Sequence, residues 1–164
     1  MKPEFHEFFL FQIGGRELGL RMHAVEEVLL ESPVTPIPGT AEFVKGLSAV
    51  RGKIMSVIDG GRRLGIPGSK GGHFLICQVR GNQTAVIIER AVEAGSFCVE
   101  KVSDKEFAEI LSEYRLNERL FAVAWKIFSR NSESEPWAPT NRIFLEIAPD
   151  QFVSDQMASQ LMRA

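Results

Sequence analysis

The chain has 164 residues, 45% of them hydrophobic, enough for one domain with a sizeable core or for two small units sharing one. Its formal net charge of -2 gives no broad electrostatic case for nucleic acid or for an anionic membrane surface. No apolar run approaches the ~18 residues of a membrane span, and two cysteines, Cys77 and Cys98, make no disulfide framework.

The opening, MKPEFHEFF, carries acids ahead of its aromatic run and no small-residue cleavage site, so it does not read as a signal peptide. A soluble cytoplasmic protein is the simplest expectation. Residues 7–13 (EFFLFQI), Gly14-Gly15 and residues 16–20 (RELGL) predict a hairpin with a glycine turn. In 22–30 (MHAVEEVLL) the apolar residues Met22, Val25, Val28 and Leu29 have helical spacing. That predicts a short helix with Glu26 and Glu27 facing mainly outward. Pro33, Pro36 and Pro38 then forbid regular structure through Gly39.

Residues 43–64 (FVKGLSAVRGKIMSVIDGGRRL) hold two apolar runs around Arg51-Gly52-Lys53, the pattern of two strands and a tight turn. In the second run both alternating sets are largely apolar, Ile54 and Ile58 against Met55 and Val57 with Ser56 the exception, so this strand is expected in the middle of a core. Gly52 permits a sharp bend that throws the Arg51 guanidinium outward at the core's edge.

Residues 65–72 (GIPGSKGG) form an internal boundary, read as a flexible connector. The loop lacks the Gly-Lys-Ser/Thr ending of a phosphate-binding loop and joins two strands. A second hairpin follows, 73–79 (HFLICQV) and 83–89 (QTAVIIE), turning at Arg80-Gly81-Asn82. At an offset of 66 residues Gln12 falls on Gln78 and Gly15 on Gly81, a weak hint of two similar β units in tandem. Ser103-Asp104-Lys105-Glu106 is a capping box, and Phe107, Ile110, Leu111 and Tyr114 follow at helical spacing, so 104–115 is a predicted amphipathic helix. Residues 120–128 read as a strand, 129–141 as an exposed loop, 142–148 as a last strand, and Asp150 onward as a C-terminal helix with Phe152, Val153, Met157 and Leu161. Trp137 in that loop is expected to cover or reshape one face of a second barrel, since an exposed Trp is costly unless it packs or binds. Strands dominate and turns recur at short spacing, which points to barrels.

Catalytic signatures are sparse. His6, His23 and His73 stand far apart, without the ligand spacing of a zinc site, and Cys77 lies inside an apolar strand as a buried thiol would. Asp59 is the only acid inside the core stretch, and no acid or histidine stands near it in sequence to form a pair. It reads as a turn acid that binds backbone or an arginine, and an enzyme built on Asp59 would need a second group. Arg62-Arg63 with Lys70 is a small basic cluster. It leaves open a β-barrel binding module for nucleic acid or a small ligand, although no aromatic residue for base stacking accompanies it.

Within 43–64, Phe43, Val44, Gly46, Leu47, Val50, Arg51, Gly52, Ile54, Val57, Ile58 and Asp59 match the pattern F-I-x-G-x-x-N-L-R-G-x-I-x-P-V-I-D-L. This resembles the signature region of CheW-like domains, the coupling proteins of bacterial chemotaxis arrays. The opening FFLFQIGGRELGLRMHAVEEVL and the segment AVIIERAVEAGSF are similar to the family's first hairpin and second-half pattern. Several spaced motifs over roughly the first hundred residues are more specific than any one alone. Ala49, Ser56, Gly60 and Glu89 depart from the usual Asn, Pro, Leu and Asp, and the C-terminal part fits poorly, as in a divergent member.

The resemblance implies a mainly β fold, two small SH3-like five-stranded β-barrels sharing a hydrophobic core with short peripheral helices. Residues 1–164 would form one CheW-like domain: about 16–72 the first barrel, about 5–15 with 73–148 the second, and 149–164 a C-terminal helix. It implies no catalysis, no cofactor, no metal, no nucleic-acid partner and no direct membrane insertion. It also implies cytoplasmic placement, with membrane association through receptor arrays. The implied partners are the regulatory domain of a CheA-type histidine kinase and the cytoplasmic tip of a methyl-accepting chemoreceptor, in chemotaxis or in type IV pilus twitching motility. By position, Arg51 matches the family's arginine at the receptor-facing groove and Glu27 its acidic partner, with Val25 and Val28 lining the groove and Gly46 and Gly52 near the kinase face.

Overall fold

Alternating apolar residues build ten strands in the computed structural model, which describes residues 3–66 and 69–153. The strands are β1 (Glu4–Ile13), β2 (Arg16–Arg21), β3 (Val25–Leu30), β4 (Val44–Val50), β5 (Lys53–Asp59), β6 (His73–Val79), β7 (Asn82–Ile88), β8 (Arg90–Lys101), β9 (Phe121–Ser129) and β10 (Ala138–Ile147). Three short helices accompany them, α1 (Gly60–Leu64), α2 (Asp104–Glu113) and α3 (Pro149–Phe152). The fold is mainly β, with two five-stranded sheets. One closes into a barrel in the order β1-β2-β10-β9-β8, and the other runs β3-β6-β7-β5-β4.

The hydrogen-bonded ladders divide the chain differently from the boundaries read in the sequence. β2 pairs with β1 and, in parallel, with β10, so residues from Arg16 onward do not open the first unit. β6 and β7 pair with β3 and β5, so residues 73–88 join the same sheet as the 43–59 strands. The open sheet is thus one continuous stretch of chain, inserted between the second and third strands of the barrel.

Side-chain alternation sorts the core into three. Phe8, Leu10, Phe97, Val99, Val123, Trp125, Ile127 and Phe144 fill the closed barrel. On the open sheet Val57, Phe74, Ile76, Ala85 and Ile87 form a second cluster. The opposite faces of both sheets, among them Phe11, Leu18, Ile58, Leu75, Cys77, Val86 and Leu145, meet in the largest cluster. α2 adds Phe107, Ile110 and Leu111 to this shared core. Its capping box is formed, with the Glu106 N–H donating to Ser103 Oγ at 3.1 Å.

Residues 22–30 are not helical. A 3-10 turn, Met22–Ala24, leads into β3, which pairs with β6. The register slips between Val25 and Glu27, so one extra residue interrupts the period of two and mimics helical spacing. Within the expected connector, Ile66 and Ser69 are seated in notches that glycines leave open. A Cβ on Gly14 would lie 2.2 Å from Ile66 Cγ2, and one on Gly61 would lie 1.6 Å from Ser69 Oγ. Gly60 follows the same rule: a Cβ there would meet Ile87 O at 2.5 Å and Ile13 Cδ1 at 2.7 Å. That packing accounts for glycine where a leucine is usual.

β10 begins at Ala138, so the expected 129–141 loop is shorter and Trp137 sits at its end. The half-buried indole stands edge-to-face with Phe5 of β1, centroids 5.3 Å apart, and the Arg130 guanidinium lies 4.6 Å from its ring centroid. Trp137 is a packing residue on the closed barrel. Of the predicted C-terminal helix, α3 covers residues 149–152, and the stretch from 154 lies outside the described residues.

Polar networks mark both ends of the closed barrel. At one, the buried Glu146 accepts from Trp125 Nε1 at 2.9 Å and from Arg21 Nε at 3.2 Å. At the other, Arg142 donates to Glu17 and Glu93, and the Glu17 hydrogen bond raises the Arg142 pKa above its ordinary value.

Candidate partner-binding surface

The β3 bulge has a second consequence. Val25 faces Cys77 and Val28 faces Leu75, both members of the shared core, while Glu27 faces Ile76. The extra residue leaves Glu26 and Glu27 side by side at the open sheet's edge. Glu26 accepts from Gln78 Nε2 at 2.6 Å and also from Gln83 Nε2. Glu27 lies 3.1 Å from Arg51 Nη2. Val25 and Val28 are partly buried against the shared core.

Arg51 arrives from the other edge of the same sheet. Val50 pairs with Lys53, which leaves Arg51-Gly52 as a two-residue loop with φ of 51° and 79°. Positive φ at both positions is the signature of a type I′ turn, whose twist suits a hairpin. β3 and β4 are the terminal strands of the open sheet, and the Arg51–Glu27 contact joins the β4–β5 turn to β3. The structure therefore brings Arg51 and Glu27 together, while Val25 and Val28, on the opposite face of β3, turn toward the shared core.

The two glycines differ. Gly52 is exposed at the turn, whereas Gly46 is buried with φ of 147°. Over Gly46 lies the proline-rich segment: Thr35 N–H donates to Leu47 O at 2.8 Å and Leu47 N–H to Thr35 O at 2.9 Å. Ser48 Oγ adds a bond to Pro33 O at 2.8 Å. Sequence reasoning missed Ile54, which is 75% exposed beside the Arg51-Gly52 turn. Its alternation with Ile58 reads as burial. Only the strand pairing shows that it projects past the end of the core.

The other sequence candidates have structural partners. Asp59 accepts from the Arg62 N–H at 3.1 Å as the cap of α1. Arg63 donates to the Phe152 and Gln151 carbonyls at 3.1 and 2.8 Å and stacks on Phe43, and burial lowers its pKa. His73 Nδ1 lies 3.1 Å from Glu89 O. Desolvation, with the Glu26 charge as a lesser cause, pushes the Cys77 thiol up to about 12. Iodoacetamide near neutral pH is expected to leave Cys77 unmodified in the folded protein and to label it in urea, read by peptide mass spectrometry. Native labelling at Cys77 would contradict the packing of the shared core.

Among the described residues, no group of three or more His, Cys, Asp or Glu could hold a metal ion. No helix among them is long and apolar enough to cross a membrane.

Comparison with known proteins gives this geometry a family. The CheW-like domain matches residues 7–122. Protein FrzA of Myxococcus xanthus is 40% identical over 58 residues, covering 35% of this chain and 36% of that protein. The chemotaxis protein CheW of Klebsiella aerogenes is 38% identical over 53 residues, 32% of each chain. CheW of Rhizobium meliloti is 32% identical over 60 residues, 37% of this chain and 39% of that protein. These matches span about a third of the relatives' lengths. The crystal structure of the scaffolding protein TtCheW from Thermoanaerobacter tengcongensis has the same fold. The TM-score is 0.65 at 19% identity, covering 94% of this chain and 95% of that one. Since the family match spans most of the sequence and the two-sheet architecture agrees with it, the chain belongs to the CheW-like domain family.

Proposed function

We propose that this protein is a non-catalytic adaptor that couples a chemoreceptor's cytoplasmic tip to the regulatory domain of a CheA-type histidine kinase, in chemotaxis or twitching motility. The observation that carries the reading is the Arg51–Glu27 contact of 3.1 Å, which ties the β4–β5 turn to β3. Such a surface suits one helix of a receptor hairpin, with an oriented charge next to the exposed Ile54. An arginine held by a carboxylate is pre-organised to make forked hydrogen bonds to a partner's carboxylates or carbonyls. The pair itself is too exposed to matter much to the fold, since surface ion pairs contribute about 0–1 kcal/mol. The exposed Gly52 turn and Ile54 supply an apolar contact of the kind a kinase domain could cover.

Arg51→Glu places a second acid against Glu27. It is expected to weaken binding to a receptor-tip fragment at least tenfold, about 1.4 kcal/mol, with circular dichroism and melting unchanged. Co-sedimentation with receptor fragments and pull-down on the kinase regulatory domain check this. Undiminished array assembly by Arg51→Glu would remove the role given to Arg51, and absence of any kinase binding by the unaltered protein would remove the adaptor reading.

A further inference from the structure

The helix α3 belongs to the closed barrel by chain and to the open sheet by contact. It follows β10 directly, and the Ala148 N–H just before it donates to Leu120 O at 2.8 Å, beside the start of β9. Two polar fixings beyond that point come from the other unit. Arg63 of α1 donates from Nη2 to Gln151 O at 2.8 Å and from Nε to Phe152 O at 3.1 Å, a fork on the last carbonyls of the helical turn. Asp150 lies 3.7 Å from Arg80 Nε at the β6–β7 turn. The Arg63 guanidinium is stacked on Phe43, 4.2 Å from the ring centroid, so the fork is aimed before α3 meets it.

What α3 covers is the seam between the two sheets. Phe152 is its one buried side chain, and Phe152 and Val153 close a small apolar cavity of about 20 Å³. Phe11 and Leu20 of the closed barrel form one wall, and Cys77 and Val86 of the open sheet form the other. A cavity lined this way stays dry and leaves its lining short of dispersion contacts. The seam is thus stoppered by one turn of helix with one aromatic anchor and an underfilled space beneath it. A single turn has no helical stability of its own. Elements with few buried apolar contacts sit at the low end of a protein's local stabilities.

We propose that α3 is a releasable strap: it lifts from the seam as a unit, hinged at Ala148, while both sheets stay folded, and the Arg63 fork sets how often. Charge-assisted bonds to main-chain carbonyls suit such a catch. They are directional and strong when made, and water takes over both partners once the strap lifts. Lifting bares the apolar walls of the seam and gives solvent a path to the Cys77 thiol, which therefore reports on the strap. None of this depends on which partner the protein binds.

Arg63→Met keeps an apolar chain beside Phe43 and removes the fork. Iodoacetamide labelling of Cys77 and Cys98, read by peptide mass spectrometry well below the urea transition, compares it with the unaltered protein. Cys98 pairs with Phe5 and Phe128 and does not line the cavity, so it reports on the fold elsewhere. Cys77 is expected to label at least about tenfold faster in Arg63→Met, with the Cys98 rate and circular dichroism unchanged. Equal acceleration at both cysteines would mean that Arg63 holds the whole fold. No acceleration at Cys77 would mean that Arg63 does not hold α3. Either result overturns the strap. Amide exchange in the unaltered protein tests the same point without a substitution. The Phe152 and Val153 N–H groups donate to Ala148 O and Pro149 O at 3.0 and 2.9 Å. They are expected to exchange at least about a hundredfold faster than those of Leu75 and Val86. Exchange at the common rate of the core would overturn release as a separate event.

Discussion

Gly46→Ala is expected to lower the unfolding free energy by about 3 kcal/mol, measured by urea denaturation. A Cβ at this position would lie 2.0 Å from Thr35 O and 2.7 Å from Thr35 C, both backbone atoms that cannot swing aside. The φ of 147° adds strain for any L side chain. Relief requires the proline-rich segment to lift off β4, breaking the two Thr35–Leu47 hydrogen bonds and leaving an edge strand bare. Amide exchange at Leu47 should quicken in parallel. A kinase-binding defect in Gly46→Ala would then follow from the detached segment, so the defect alone would not make Gly46 a contact. Stability within about 0.5 kcal/mol of the unaltered protein would show that the segment is not held as described.

Glu146→Ala is expected to cost a similar amount, about 2–3 kcal/mol. The carboxylate is 11% exposed and serves two donors, the Trp125 indole N–H and Arg21, whose guanidinium also lies 4.6 Å from the Phe8 ring centroid. Removing it strands a buried N–H and a partly buried cation together. Glu146→Gln keeps an acceptor for Trp125 and should lose only about 1 kcal/mol. Urea titrations followed by Trp fluorescence distinguish the two variants, and equal losses would mean that the charge, not the hydrogen bond to Trp125, is what matters.

The strands were legible because their alternation is strong. Phe8 and Leu10 against Phe11 and Ile13, or Leu75 and Cys77 against Phe74 and Ile76, each show two apolar faces in the sequence itself. The 22–30 segment was misread because the extra bulge residue turns a period of two into a spacing of three. The division into sheets was out of reach for a different reason. β2 finds β10 and β1 finds β8 across most of the chain, and nothing in local pattern names a distant partner. Of the candidate surface, Arg51 stood out as a charge thrown outward at a bend in a buried stretch, but its pairing with Glu27 came only through family resemblance, because their meeting depends on how far the open sheet curls. Ile54 stayed hidden because it follows a buried alternation.

The order of the barrel strands also sets a timetable for synthesis. Everything the open sheet needs, from Val25 to Ile88, is contiguous and leaves the ribosome early. The barrel cannot close until β10 arrives, since Leu145 and Glu146 must find Leu18 and Gly19. Through that interval the β1–β2 hairpin waits with one edge unpaired, exposed to other nascent chains. The inserted sheet is then the platform against which Phe11 and Leu18 can shelter, so the last-made strand completes a barrel whose first-made hairpin is already held in place.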